Sequence, residues 1–104
     1  MGAFIHAGAQ RSAVAWSRHA IERLVLHRAS RADVEAALVR CEIIEVYPDA
    51  HRALPDCLVL AWLRVDEPLH AVSAIDQPND HIFVITVYRP DPARWSDDWK
   101  RRRA

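Results

Sequence analysis

Val34-Glu35-Ala36-Ala37-Leu38-Val39-Arg40-Cys41-Glu42-Ile43-Ile44-Glu45-Val46-Tyr47 is the stretch in which the chain changes its hydrophobic period. Up to Cys41 the apolar residues Val34, Ala37, Leu38 and Cys41 recur every third or fourth position, which places them on one helix face. From Glu42 onward β-branched residues become frequent and the period falls to two, the spacing of a strand. The chain before Cys41 therefore reads as helix, and the chain after it as sheet.

Upstream, Ser30 opens a capping box with Asp33, so a helix is predicted over 31–40. Ser17 caps an earlier helix running to about residue 27, with Ile21, Leu24 and Val25 as its apolar stripe and His19, Arg23 and His27 on the polar side. Downstream, strands are predicted over 42–47, 57–65, 69–75 and 81–88. They are separated by Pro48-Asp49, Pro55-Asp56, Asp66-Glu67-Pro68 and Gln77-Pro78-Asn79-Asp80, all good turn formers. Short links between the last three strands imply an antiparallel meander. After Asp91-Pro92 a short helix is expected to bring Trp95 and Trp99 onto one face. The fold class that results is α+β: two N-terminal helices, a four-stranded antiparallel sheet and a short C-terminal helix.

With 104 residues, the sequence suits one domain over 1–104, with 1–14 and 100–104 expected to be flexible. Apolar residues make up 51% and there are only two glycines, so disorder elsewhere is not expected. No run approaches the roughly 18 apolar residues of a membrane span, and the opening residues lack a basic segment followed by a long apolar one. A cytoplasmic protein is the expectation. Cys41 and Cys57 have neither zinc-knuckle nor redox spacing and read as two buried thiols.

The zero net charge hides a division. Residues 1–30 and 89–104 together carry an excess of six positive charges, and 31–88 carry an equal negative excess. A protein that coats nucleic acid non-specifically is excluded, whereas a local cationic patch made by the two ends is not.

The order Trp16-Ser17-Arg18-His19-Ala20-Ile21-Glu22-Arg23, Asp33-Val34-Glu35-Ala36-Ala37-Leu38, Glu45-Val46-Tyr47-Pro48-Asp49, Cys57-Leu58-Val59-Leu60, Pro68-Leu69-His70-Ala71-Val72 and Ile85-Thr86-Val87-Tyr88-Arg89-Pro90-Asp91-Pro92 resembles a family of small, largely uncharacterised bacterial domains. Members are often encoded beside zinc-finger antitoxins of the YgiT type, and their helix-helix-sheet order is similar to that of RelE, ParE and MqsR toxins. The family pattern has glycines near Ala29 and in the turn at Asp66-Glu67, which this chain lacks. The resemblance implies a toxin domain, a cognate antitoxin of zinc-finger or helix-turn-helix type as partner, and RNA, free or on the ribosome, as substrate.

A ribonuclease without metal needs a base near the ribose 2'-hydroxyl, an acid for the departing oxygen and a cation for the developing charge. His19 and His70 are the acid–base candidates, Arg23 is the phosphate clamp, and Thr86 and Tyr88, on one face of the last strand, are hydrogen-bond donors. Arg52, Arg89 and Trp62 are candidate substrate contacts. Taken singly, His19 reads rather as a solvated first-turn residue and His70 rather as a core histidine bonded to a backbone carbonyl; it is the pair, together with Arg23 and the hydroxyls, that suits a shared site. The six histidines show no HxH or HExxH spacing and no Gly-rich phosphate loop occurs, so neither metal nor cofactor is expected. A non-catalytic binding module or co-repressor on the same scaffold is the alternative.

Overall fold

A computed structural model describes residues 1–47 and 54–104. Among these residues three helices, α1 (Gly2–Gln10), α2 (Arg18–Leu26) and α3 (Arg31–Leu38), accompany five strands. The strands are β1 (Val14–Trp16), β2 (Glu42–Tyr47), β3 (Asp56–Arg64), β4 (Glu67–Asp76) and β5 (His81–Tyr88). They form one sheet in the order β1-β5-β4-β3-β2.

The four antiparallel strands expected from the period-two segments are present, and Ser17 and Ser30 cap α2 and α3 by accepting from the Ala20 and Asp33 amides. Two elements correct the expectation. A further helix, α1, precedes the others and buries Ile5 and Ala9, and β1 adds a fifth strand, parallel to β5, with Val14 opposite Ile82 and Trp16 opposite Val84. The helix expected after Asp91-Pro92 is absent. Residues 91–104 instead run as a series of turns, tied by a bridge between Trp95 and Arg102.

The sheet is covered on both faces. Cys57, Val59 and Ala61 of β3, Leu69, Ala71 and Ile75 of β4, and Ile82, Val84 and Val87 of β5 alternate toward the helices and form one core with Leu24, Val34 and Leu38. On β5 the pairing slips by one residue, because Val72 lies opposite Thr86 while Ser73 lies opposite Val84. Ile85 is the extra residue, a bulge that keeps Val84 and Val87 on the helix side and puts Tyr88 on the other. That second face carries His70 and Tyr88, cross-strand partners, beneath the 91–104 segment.

The stripe expected on α2 is also rotated. Ala20 and Leu24 are buried, whereas Val25 is 77% exposed and Ile21 and Leu26 also face outward. Ser17 fixes this rotation by donating from Oγ to the Ile85 carbonyl at 2.7 Å, which docks the start of α2 on the bulge. The turn sends Arg23 and His27 toward the end of β5. No helix among the described residues is long and apolar enough to cross a membrane.

Candidate functional site

At the C-terminal end of β5 a cleft of about 460 Å³ opens between α2 and the C-terminal segment. Arg23 and His27 line it from α2, Tyr88 and Arg89 from the end of β5, and Asp91, Arg94, Trp95 and Arg102 from the segment beyond. Arg23, Arg89 and Arg94 have no carboxylate within ion-pair distance among the described residues. Asp91 is the one acid on the wall, and its Oδ1 already accepts the Ala93 amide at 2.9 Å. The cleft is therefore strongly cationic. Guanidinium groups present planar forks of donors suited to phosphate oxygens.

Behind the cleft wall lies a fully buried imidazole. His70 has no exposed surface. Its Nε2 lies 2.8 Å from the Trp99 carbonyl, which only accepts, so Nε2 carries the proton and Nδ1 is bare. The bare nitrogen is 3.1 Å from the Tyr88 hydroxyl, which donates to it. Tyr88 thus commits its proton to the interior and leaves its lone pairs to the cleft. Burial pushes the His70 pKa below its ordinary value, against the opposing pull of the Trp99 bond and of Glu45, and it raises that of Tyr88. Both groups rest neutral. Trp95 stands edge-on to the His70 ring, with centroids 4.3 Å apart, and fixes its plane.

Arg102 holds the outer wall. Its guanidinium lies 4.8 Å over the Trp95 ring and grips Glu45 of β2 through two bonds of 2.9 and 3.0 Å. Tyr47 donates to the same carboxylate. The Arg102 bonds hold Glu45 below the usual carboxylate range, while burial and the Glu45 carboxylate push Tyr47 up to about 12. This ion pair clamps the C-terminal segment to the sheet.

The structure brings together some of the residues singled out from the sequence and separates others. Arg23, Tyr88 and Arg89 line the cleft, with His70 behind Tyr88. The backbone-carbonyl partner expected for a core histidine at 70 is the Trp99 oxygen. His19 is an exposed first-turn residue of α2 and is not part of the cleft wall. Thr86 is half-buried opposite Val72, and Trp62, 41% exposed on β3, also lies off the wall. Arg52 lies outside the described residues. Sequence reasoning did not assign roles to His27, Arg94, Trp95 or Arg102. His27 was reachable, since it lies four residues after Arg23 on one helix face and the two side chains meet at 3.0 Å. The other three belong to a segment that periodicity misreads as helix.

Among the described residues no three His, Cys, Asp or Glu side chains group as a metal site would require. No curated protein and no solved structure matches the chain, so no relative assigns a role to the cleft. The wall from Arg23 to Arg89, together with strands β2 to β5 that support it, falls within residues 16–89, which match the model of a family described as a domain of unknown function; the protein belongs to that family, DUF4258.

Proposed function

We propose that the protein is a metal-independent endoribonuclease, the toxin of a type II toxin–antitoxin pair, and that RNA is cut in the cleft at the end of β5. The observation that carries this reading is the convergence of Arg23, Arg89 and Arg94, unpaired with any described carboxylate, beside a phenol hydrogen-bonded to a buried neutral imidazole. The guanidiniums hold the scissile phosphate and offset the charge that develops on it. Tyr88 Oη takes the proton of the ribose 2'-hydroxyl while passing its own proton to His70 Nδ1. The 2'-oxygen bonds to phosphorus, the bond to the 5'-oxygen breaks, and the proton returns through Tyr88 to that departing oxygen. The products are a 2',3'-cyclic phosphate and a 5'-hydroxyl. His70 acts through Tyr88 and is a positioning residue; its transient positive charge is offset by Glu45 and the Trp99 carbonyl. The two-histidine scheme with His19 is not used, because His19 stands outside the cleft.

The test is incubation of the purified protein with RNA, alone and with ribosomes, in the presence of a chelator. Fragments ending in cyclic phosphate, with DNA left intact, support the proposal. A folded protein that leaves RNA whole under both conditions overturns it. The second reading, a non-catalytic module or co-repressor binding through the same cleft, is favoured by the complete burial of His70, which never meets a ligand directly. Binding of RNA, DNA or a protein partner without cleavage, lost on Arg23→Gln, would establish that reading instead.

A further inference from the structure

We propose that the cleft binds a phosphate group whose arrival reverses the hydrogen-bonding role of His27: Nε2, an acceptor from Arg23 in the free protein, becomes an N–H donor to a phosphate oxygen. The proposal rests on phosphate binding in the cleft, which the ribonuclease reading shares, and not on cleavage.

It begins from a mismatch of donors and acceptors. The Arg23 Nη2 lies 3.0 Å from His27 Nε2, and the backbone N–H of Arg89 points at Nδ1 from 3.3 Å. A guanidinium and an amide only donate. A neutral imidazole has one bare nitrogen, so it satisfies one of the two, and an imidazolium satisfies neither. Burial, followed by the nearby charges of Arg23 and Arg89, lowers the His27 pKa and favours the neutral ring. The site is therefore one acceptor short.

The two donors differ in freedom. Arg89 is locked to the end of α2, with its Nε donating to the His27 carbonyl at 2.8 Å and its Nη2 to the Arg28 carbonyl at 3.4 Å. Its amide cannot leave Nδ1. Arg23 sits on a flexible stem and turns into the cleft when something there accepts from it. In the free protein the shorter contact holds the lone pair at Nε2. With an acceptor in the cleft, Arg23 swings to it, the lone pair moves to Nδ1 to meet the Arg89 amide, and Nε2–H points at the newcomer.

The other charged groups on the wall set the class of that acceptor. Arg23 and Arg94 carry no carboxylate partner among the described residues, Arg102 is engaged by Glu45, and Asp91 is turned to the Ala93 amide. Tyr88 presents an oxygen lone pair to the cleft, which disfavours a second acceptor immediately beside it. A carboxylate offers two oxygens at one edge. A phosphate group, free or at an ester, offers oxygens in several directions, enough for Arg23, Arg94 and Nε2 together.

The experiment is histidine side-chain ¹⁵N NMR on the full chain at neutral pH, titrated with inorganic phosphate and, separately, with an RNA dinucleoside monophosphate. Nε2 of His27 should be bare in the free protein and protonated in the bound one, with the ring neutral in both. His27→Gln, whose amide NH2 can replace Nε2–H, should keep phosphate affinity within about threefold, whereas His27→Leu should lose about tenfold, the scale of a hydrogen bond to a charged group. Backbone amide spectra confirm that each variant is folded. A His27 tautomer unchanged at saturation, a ring that gains a second proton on binding, or no response to either probe overturns the proposal. A response to inorganic phosphate alone supports the switch and identifies free phosphate as the source; a response to both supports it and places a nucleic-acid phosphate in the site. RNA cleavage with no tautomer change defeats this inference and leaves the ribonuclease standing, and the switch without cleavage does the reverse.

Discussion

Tyr88 and His70 divide the work of one hydrogen bond, and their variants should separate chemistry from stability. Tyr88→Phe removes only the hydroxyl. His70 loses a donor, Tyr88 stops facing the cleft with an oxygen, and RNA cleavage should fall on the order of 100-fold or more while the fold is kept. His70→Ala does more. It opens a cavity against Trp95 and orphans both the Trp99 carbonyl and the Tyr88 hydroxyl, so a loss on the order of 3 kcal/mol is expected in denaturant unfolding. From the sequence alone this histidine is either an acid–base residue of the site or a core histidine; its complete burial makes it the latter, and so makes its loss costly to the fold. Stability should also depend on pH in two stages. His70 is held neutral by burial, so its folded pKa lies below the unfolded value of about 6.5. Above that value both states are neutral and nothing is lost. As pH falls below it, the unfolded chain takes up a proton that the folded chain refuses, and stability declines. Glu45, held low by Arg102, stabilises the fold above the ordinary carboxylate value of about 4.3, and that contribution goes as pH drops through its lower folded value. His70→Gln should reduce the first stage of the unfolding midpoint against pH, with His27, also held below its ordinary value, carrying the remainder, and Glu45→Gln should flatten the second.

At the scale of elements, α1 and the C-terminal segment carry the predictions, and both escaped the sequence for physical reasons. Residues 2–10 are mostly apolar, with His6 and Gln10 the only polar side chains and no side-chain cap at Met1, so no continuous polar face contrasts with a buried one. α1 becomes a helix because Ile5 finds the core and Gly8 lets the backbone close on β5. A Cβ at Gly8 would stand 2.9 Å from Ile82 Cδ1 and 3.2 Å from its Cγ1. Ile82 is fully buried and must repack, so Gly8→Ala should destabilise by about 1 kcal/mol, overpacking outweighing the gain in helix propensity. An equal or higher unfolding midpoint would show that Ile82 yields freely. In the last segment, the i, i+4 spacing of Trp95 and Trp99 suggested a helix, but Trp99 has a left-handed φ of 66° and its carbonyl is spent on His70. Tertiary bonds to β2 and β4 replace helical ones. Arg102→Ala removes the grip on Glu45 and the contact with Trp95. With both side chains of the ion pair partly exposed, it should cost only about 1 kcal/mol globally. It should nonetheless speed amide exchange selectively over 95–103, where the loss of one clamp frees one segment.

Over the whole molecule, the division of charge visible in the sequence finds its explanation in topology. The basic N-terminal third and the basic C-terminal tail meet because β5 is flanked by β1 and β4, and because α2 packs on β5, so Arg23 and His27 arrive where the chain leaves the sheet as Arg89. The strands and the helix caps are local properties and were legible. The parallel pairing of β1 with β5 spans nearly seventy residues, and the bulge at Ile85 depends on how Ser17 docks; neither has a local signature. Arg23, Tyr88 and Arg89 could thus be named from the sequence, but not the company they keep. The same topology predicts how the protein responds to salt. If the unpaired arginines of the cleft each neutralise a phosphate of single-stranded RNA, the slope of log K against log salt should approach about −2, near −0.7 for each contact. Arg23→Gln and Arg94→Gln should each weaken binding at low salt and reduce the slope by about one contact's worth, while Arg18→Gln, whose side chain is 95% exposed beside Glu22, should leave it unchanged. Fluorescence-detected binding of an RNA oligomer across a salt series measures all three. A slope that Arg18→Gln lowers as much as Arg23→Gln would mean that the general positive surface attracts RNA and that the cleft has no special part in it.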